Sequence, residues 1–585
     1  MDRVELLPEM TIEDRGRPRF QGVRPLIETQ DRIATVDQTA GSVIETRRMT
    51  GGQALVASLL ANDVDTLFAL PGVQLDGAFD ALYEAGPHIR VIHPRHEQTA
   101  AYMADGYART TGKVGACMVV PGPGLLNAMA ALSTAYACNS PVLCVTGQIQ
   151  SDLIEFGRGL LHEIPNQLGM VRSVTKSAER AMTPPEIPSL VRRAFTEIRS
   201  GRQRPVEIEI PPDTLFATDD VDLLAPAETP ERFAGDPELL EQAAQLLSNA
   251  KTPLIWAGGG VLGSGAWDAL RRLAEMLQAP VVMTANGKGA LSDRDPLAQN
   301  ILGGMTLLPE ADVIFAVGTR FVDPATAKWG IAPGRTVIQM DIDREELGRN
   351  YPATVAIEAD ARAGLTALAD LIARDDRARP SRTAELQALK RDVATRARAT
   401  GPQADYAMAI REALPDDAIV VSEMTQVGYW ANFAFPVNEP RTYLTPGYQG
   451  TLGYGFPTSL GAKVAHPDRP VVSINGDGGF GFCLNELSTM VQHDIAAIAI
   501  VFTDDAFGNV KRIQQEQFGG RTIASDLRNP DFLKLADSFG LAGRHADSPE
   551  RLRQMLEEAV RANEPTLIAV PLGPVPNPWT TLGLR

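Results

Sequence analysis

VVSINGDGGFGFCLNELSTMVQHDIAAIAIVFTDDAFGNV, residues 471–510, holds two apolar strands on either side of a helix-like stretch. The first strand runs into Gly476-Asp477-Gly478-Gly479, the second into Thr503-Asp504-Asp505-Ala506-Phe507-Gly508. A helix-length connection makes the strands parallel, so both acidic ends fall on one rim of the same sheet, 504 − 477 = 27 residues apart. Ligands of such sheets sit outside the carboxyl ends of the strands. Gly478 and Gly479 leave the backbone open there, and the N–H groups opening the next helix suit phosphate oxygens. Two carboxylates, one backbone carbonyl, two phosphate oxygens and a water make the six-oxygen array that Mg²⁺ requires. A lone G-D-G is weak evidence and reads first as a tight turn. The second acidic strand end turns the reading toward a hard cation and a diphosphate.

The same rhythm extends in both directions. GGQALVASLLAND from Gly51 is an amphipathic helix, DTLFALPG and HIRVIHPR are strands, and EQTAAYMADGYARTTG is a helix. GACMVVPGPG, the helix LLNAMAALSTAYACN and the strand PVLCVTGQ follow. A Pro-rich, charged stretch, RQRPVEIEIPPDTLFATDD, closes this first block, 49–225. A second block, 236–375, contains PLIWAGGG, PVVMTANGKG, ADVIFAVGTR and TVIQMDID. The charged, Pro-bounded segment 376–404 reads as a helical connector to a third block, 405–575. Alternating strands and helices predict three α/β domains, each a doubly wound parallel sheet. Residues 1–48 show neither period and read as an extended or disordered arm, a solvated tail or a segment that wraps a neighbouring subunit.

The 585 residues carry a net charge of −17, with 44% hydrophobic and 22% charged residues, which fits a globular chain and excludes disorder over the whole length. So acidic a surface repels phosphate backbones and anionic lipids, so neither nucleic acid nor membrane is the expected partner. The four cysteines form no C-x-x-C pair, no 18 apolar residues run unbroken, and the N-terminus lacks a signal peptide's apolar stretch. A cytoplasmic protein acting on small molecules is the expectation.

ALPG at 69–72, PRHEQTAAYMADGYAR at 94–109, GPG at 122–124, TGQ at 146–148, GTRF at 318–321, MDID at 340–343, GTLGYGFPTSLGAK at 450–463 and the G-D-G segment occur in that order. Together they resemble the acetolactate synthase and pyruvate oxidase superfamily of thiamine diphosphate enzymes over roughly residues 49–573. The resemblance implies a pyrimidine-binding first domain, a central domain and a diphosphate-binding third domain. It also implies thiamine diphosphate with Mg²⁺ as cofactors, and active sites at the subunit interface of a homodimer or homotetramer. The matching cofactor positions are Gly72, Glu97, Gln426, Gly450, Leu452, Gly476, Asp477, Gly478, Gly479, Asp504, Ala506, Phe507 and Gly508, with Asp477, Asp504 and Ala506 at the metal.

Three residues match catalytic positions. Glu97 corresponds to the Glu that bonds N1′ of the aminopyrimidine; read alone, it is an acid at a helix N-terminus. Leu452 corresponds to the apolar residue that bends the cofactor, and read alone is a core leucine. His162 stands where acetolactate synthases have Gln, either exchanging protons with a bound intermediate or bonded to Glu163. The implied reaction is carboligation or decarboxylation of a 2-oxo acid through a C2 carbanion and an enamine, as in acetolactate formation. Alternatives are a 2-hydroxyacyl-CoA lyase, a simple 2-oxo acid decarboxylase, or a catalytically silent regulatory homologue. Three departures stand out: Asp504 replaces the usual Asn, Val427 replaces a His, and only MTLLPE separates Gly304 from ADVIFAVG, which argues against FAD. The glycines at 258–260 and 287–289 read as strand-end turns or as a nucleotide contact.

Overall fold

In the computed structural model, which describes residues 41–322, 330–332, 334–374 and 378–583, three six-stranded sheets are each parallel throughout. In the first, strands Arg90–Ile92, Thr66–Ala69, Gly115–Val119, Val142–Gly147, Val206–Ile210 and Ala178–Arg180 lie side by side. The third, Tyr443–Leu444, Ile419–Ser422, Val471–Gly476, Ile498–Thr503, Thr566–Pro571 and Ala542–His545, repeats that order. Numbered along the chain, both read 2-1-3-4-6-5. The central sheet reads 3-2-1-4-5-6: Ala298–Gln299, Val281–Met283, Pro253–Ala257, Val313–Val317, Thr336–Asp341 and Val355–Glu358. Each sheet is fully buried at its centre because its strands are near-continuous apolar runs, as sheets covered by helices on both faces require.

Strand order reverses beside the first strand of each sheet, and that crevice is where such folds bind ligands. The first and third domains meet through corresponding helices, Glu97–Thr111 and Gly455–Ala465. Glycines allow the approach: a Cβ on Gly106 would overlap the Thr458 carbonyl, and one on Gly461 the Met103 carbonyl. Arg109 fastens the junction, donating to the Thr445 carbonyl at 2.8 Å, the Tyr454 hydroxyl at 2.7 Å and Asn286 Oδ1 of the central domain at 3.4 Å.

Two sequence expectations change. Ordered structure begins before Met49: Val43–Thr50 is a strand pairing antiparallel with Thr218–Leu224. Its side chains are mostly exposed, so it carries no hydrophobic period to read. Residues 1–40 of the expected arm lie outside the described residues. The charged stretch that closes the first block also contains a sheet strand, Val206–Ile210, next to Val142–Gly147. Glu207 and Glu209 hide it in the sequence, yet both are fully buried. Glu207 accepts from the Thr146 hydroxyl, and Glu209 pairs with Arg180 and accepts from Gln167 at 2.7 Å. The connector contains a helix, Thr383–Arg398. Among the described residues no helix is long and apolar enough to cross a membrane.

Candidate active site

The crevice of the third sheet opens between Ile419–Ser422 and Val471–Gly476. Thr425, Gln426 and Tyr429 line one wall; Gly476 to Gly479, Asp504, Ala506, Phe507, Gly508 and Val510 line the rest, with Leu452. Leu452 is therefore no core leucine. It stands on a turn that Gly450 (φ 57°) and Gly453 (φ 72°) make possible, both in the left-handed region. Gly450 itself packs against Met424 outside the cleft lining. Gln426 opens the helix Gln426–Ala434, and its side-chain oxygen is buried without a protein partner.

Asp477 sits where the strand enters a short helix. Its Oδ2 accepts from the backbone of Asp505 at 2.8 Å, that of Asp504 at 3.2 Å and Asn529 Nδ2 at 2.7 Å, and its Oδ1 from Gly478 N at 2.9 Å. A Cβ on Gly508 would overlap Asp504 Oδ2, so the glycine makes room for that carboxylate, while Phe507 packs over Gly478. Burial, then the charge of Asp477, pushes the Asp504 carboxyl up to about 6, and burial raises Asp477 as well. Two buried carboxyls this close suit a divalent cation, although Lys511 already pulls the Asp504 carboxyl down in part. No group of three potential metal-binding side chains occurs among the described residues, so further ligands would have to be backbone, cofactor oxygens or water.

Beneath this turn lies Glu423, fully buried at the end of its strand. Its Oε1 accepts from Gly453 N at 2.6 Å, which ties it to the leucine turn, and a Cβ on Gly479 would overlap the same oxygen. Its Oε2 has no donor, nor does Asn475 Oδ1, whose amide nitrogen is spent on Ser473 Oγ and the Ile500 carbonyl. Both oxygens face Gly455, where a Cβ would lie 3.1 Å and 2.6 Å from them. Burial pushes this carboxyl up to about 7 from 4.5, against the pull of the Gly453, Gly455 and Tyr454 N–H groups.

A stability prediction follows from that shift. Below pH 4.5 Glu423 is neutral in both states. Between about 4.5 and 7 the unfolded chain releases a proton that the fold retains, so stability falls as pH rises, and above 7 the loss is complete. Glu423→Gln, which mimics the neutral acid, escapes this loss. Its unfolding free energy should gain up to about 3 kcal/mol on wild type across that window, measured by denaturant titration at several pH values. A difference independent of pH would refute it.

The first sheet presents a second constellation. Glu97 begins its helix, whose N-terminus His96 caps through Nδ1. Glu97 Oε2 accepts from Asn127 Nδ2 at 3.0 Å, and its carboxylate touches Gly124. The other glycine of the same turn, Gly122 (φ 58°), packs against His162, whose carbonyl a Cβ would overlap. Gly72 abuts Val120 just before that turn. Gly72, Glu97 and His162 thus gather at one rim, but none lines the third-domain cleft of the same chain. His162 bonds Gln74, at 3.1 Å; Glu163 is engaged by Leu160 N at 2.8 Å.

At the central crevice, glycines are used for packing. A Cβ on Gly260 would lie 2.7 Å from Gly318 Cα, and one on Gly287 2.5 Å from the Ala257 carbonyl. Sequence reading missed Gln74, Asn127, Glu423 as a side chain, and Asn529. Only Glu423 left a signal, an acid closing an apolar strand.

Family models agree with this arrangement. The thiamine pyrophosphate enzyme N-terminal TPP binding domain matches residues 49–170, the central domain 240–368, and the C-terminal TPP binding domain 423–570. A probable acetolactate synthase large subunit of Methanocaldococcus jannaschii is 34% identical over 552 residues, covering 90% of this chain and 92% of its own length. A probable 2-ketoarginine decarboxylase of Pseudomonas aeruginosa is 36% identical over 533 residues, 89% of this chain and 94% of its own. The acetolactate synthase isozyme 3 large subunit of Escherichia coli is 32% identical over 541 residues, 88% and 92%. The chain belongs to the thiamine pyrophosphate enzyme family and is a thiamine diphosphate-dependent enzyme.

Proposed function

We propose that the protein removes CO₂ from a 2-oxo acid and joins the remaining acyl unit to an acceptor carbonyl, in a homodimer or larger homo-oligomer. The observation that carries this reading is the pair of carboxylates, Asp477 and Asp504, at the crevice where the third sheet reverses its order, with Asp504 pushed up to about 6 by burial and by the charge of Asp477. Asp477, Asp504 and the Ala506 carbonyl would hold Mg²⁺, and Gly476, Gly478 and Gly479 would bring backbone against the diphosphate. Leu452 would shape the bound cofactor from within the cleft. Gln426, with its side-chain oxygen buried and unpartnered, suits a donor on the ring system. Bound thiamine diphosphate supplies the carbon nucleophile and the electron sink. Phe507 and Val510, both lining the cleft, wall the side where substrate enters.

The first-domain rim supplies the proton chemistry. Glu97 keeps Oε2 on Asn127, which leaves its other oxygen as the one that would exchange a proton with the bound pyrimidine. His162 exchanges a proton with the substrate oxygen. Neither lines the cleft of its own chain, which supports the reading that a second copy brings its rim to that cleft. The names of the synthase relatives support carboligation. The 36% identity to a 2-ketoarginine decarboxylase supports decarboxylation alone as the second reading.

Two experiments test this proposal. The first is CO₂ release from pyruvate and bulkier 2-oxo acids with and without thiamine diphosphate and Mg²⁺, with products identified by NMR. An acyloin-type product such as acetolactate supports transfer, an aldehyde alone supports the decarboxylase, and no release from any donor rejects both. The second concerns the metal. Asp504 adds a charge beside a diphosphate, so the cation should be required more strictly than with Asn there. In Asp504→Asn the ratio of cofactor affinities with and without Mg²⁺ should shrink roughly tenfold, equal to about 1.4 kcal/mol, by calorimetry. An unchanged or larger ratio opposes the assignment.

A further inference from the structure

We infer that Gln74 is a positioning residue that fixes His162 as the Nδ1–H tautomer and leaves Nε2 as its basic nitrogen. The inference rests on the reading of His162 as the proton-exchanging group, but its chemistry is decided by hydrogen bonds alone. Gln74 Nε2 lies 3.1 Å from the Leu161 carbonyl. A carbonyl only accepts, so the amide group facing it is the NH₂. The amide oxygen then faces His162 Nδ1, at 3.1 Å. That oxygen also only accepts, so Nδ1 carries the proton whether the ring is neutral or cationic, and the neutral ring keeps its lone pair on Nε2. The Leu161 carbonyl decides the amide's orientation: turned over, the NH₂ could still donate to an unprotonated Nδ1, but the amide oxygen would then face the carbonyl oxygen, two acceptors with no proton between them.

The surroundings hold both partners in place. Gln74 is 6% exposed, in the short turn Val73–Leu75 that follows Gly72, and a Cβ on Gly147 would lie 3.2 Å from its own Cβ. His162 has a left-handed backbone, φ 69°, unusual for a residue with a side chain, and its carbonyl packs on Gly122. That turn is anchored from below: Gly122 N donates to Gln167 Oε1 at 2.9 Å, and Gln167 Nε2 donates to Glu209 Oε2 at 2.7 Å and the Gly147 carbonyl at 3.0 Å. Among the described residues no hydrogen bond engages His162 Nε2, the nitrogen this network leaves for chemistry. The buried Glu209 thus acts through Gln167 on the turn that seats His162, while Gln74 acts on the ring directly.

The test is the ring ¹⁵N spectrum of histidine-labelled holoenzyme, with the His162 signals assigned by His162→Gln. Wild type and Gln74→Glu, which keeps an acceptor opposite Nδ1, should show a protonated Nδ1 and an unprotonated Nε2. Gln74→Met, of similar volume and without an acceptor, should shift toward the Nε2–H form and lose roughly tenfold in kcat, as second-layer partners of functional histidines commonly do. If Gln74→Met does not fold, Gln74→Asn, too short to reach Nδ1, gives the same reading. Retention of the Nδ1–H form without the Gln74 amide overturns the inference. Full turnover in His162→Gln would instead overturn the role of His162 at the substrate, and the spectra would still judge Gln74.

Discussion

Glu97→Gln is expected to lower kcat by at least about 100-fold while thiamine diphosphate still binds, a loss in the range that general acid–base groups supply. Glutamine keeps the shape and can still accept from Asn127 Nδ2, so the start of the helix and the Gly122–Gly124 turn stay in place. What it removes is an oxygen able to hold and release a proton. A drop of that size corresponds to about 3 kcal/mol or more of barrier. A protein that kept the fold only as a scaffold would have no turnover to lose. Calorimetric cofactor binding alongside steady-state turnover separates the outcomes: intact binding with collapsed kcat supports the assignment, and unchanged kcat removes Glu97 from the chemistry.

Asp477→Ala should abolish cofactor binding at concentrations that saturate wild type, a weakening of more than roughly 100-fold, because it deletes the proposed metal ligand and disturbs the turn proposed to face the diphosphate. Asp477 accepts from Gly478 N, Asp504 N, Asp505 N and Asn529 Nδ2. Alanine leaves those donors without their carboxylate in a buried site, which costs stability as well. The measurement is Mg²⁺-dependent binding by calorimetry, with circular dichroism to verify the fold. Tight binding that survives in a folded Asp477→Ala protein would mean that the cation, if any, sits elsewhere.

How much of this was legible in the sequence depends on whether the chemistry lies within one segment. The strand, turn and helix at Val471–Gly479 and the strand end at Thr503–Gly508 announce themselves, because parallel strands need apolar runs and their ends need glycine and acid. Leu452 was readable at the cofactor only through the resemblance, since read alone it is a core leucine. The strand Val206–Ile210 was not, since Glu207 and Glu209 mimic a solvated segment and their partners Thr146, Gln148, Gln167 and Arg180, remote in sequence, make their burial tolerable. Glu423 left a signal as an acid closing an apolar strand, but its surroundings did not, because its partner Gly453 and the facing Asn475 come from other strands and turns. Gln74 carries no local signal at all, because its meaning comes from a loop 88 residues away. The central glycines left two readings open, strand-end turns or a nucleotide contact, and the structure shows them where backbones approach closely.

The division of the site into two rims, one bearing Glu97 and His162 and the other Asp477, Asp504 and Leu452, leads to the central claim that two chains share each active site. Mixing purified Glu97→Gln and Asp477→Ala proteins, each inactive alone, under conditions that allow subunit exchange tests it most directly. Each mixed dimer would hold one site with both lesions and one with neither, so random exchange should restore about a quarter of wild-type activity. Absence of recovered activity, with exchange verified by native mass spectrometry, would contradict the shared site and require Glu97 to act within its own chain.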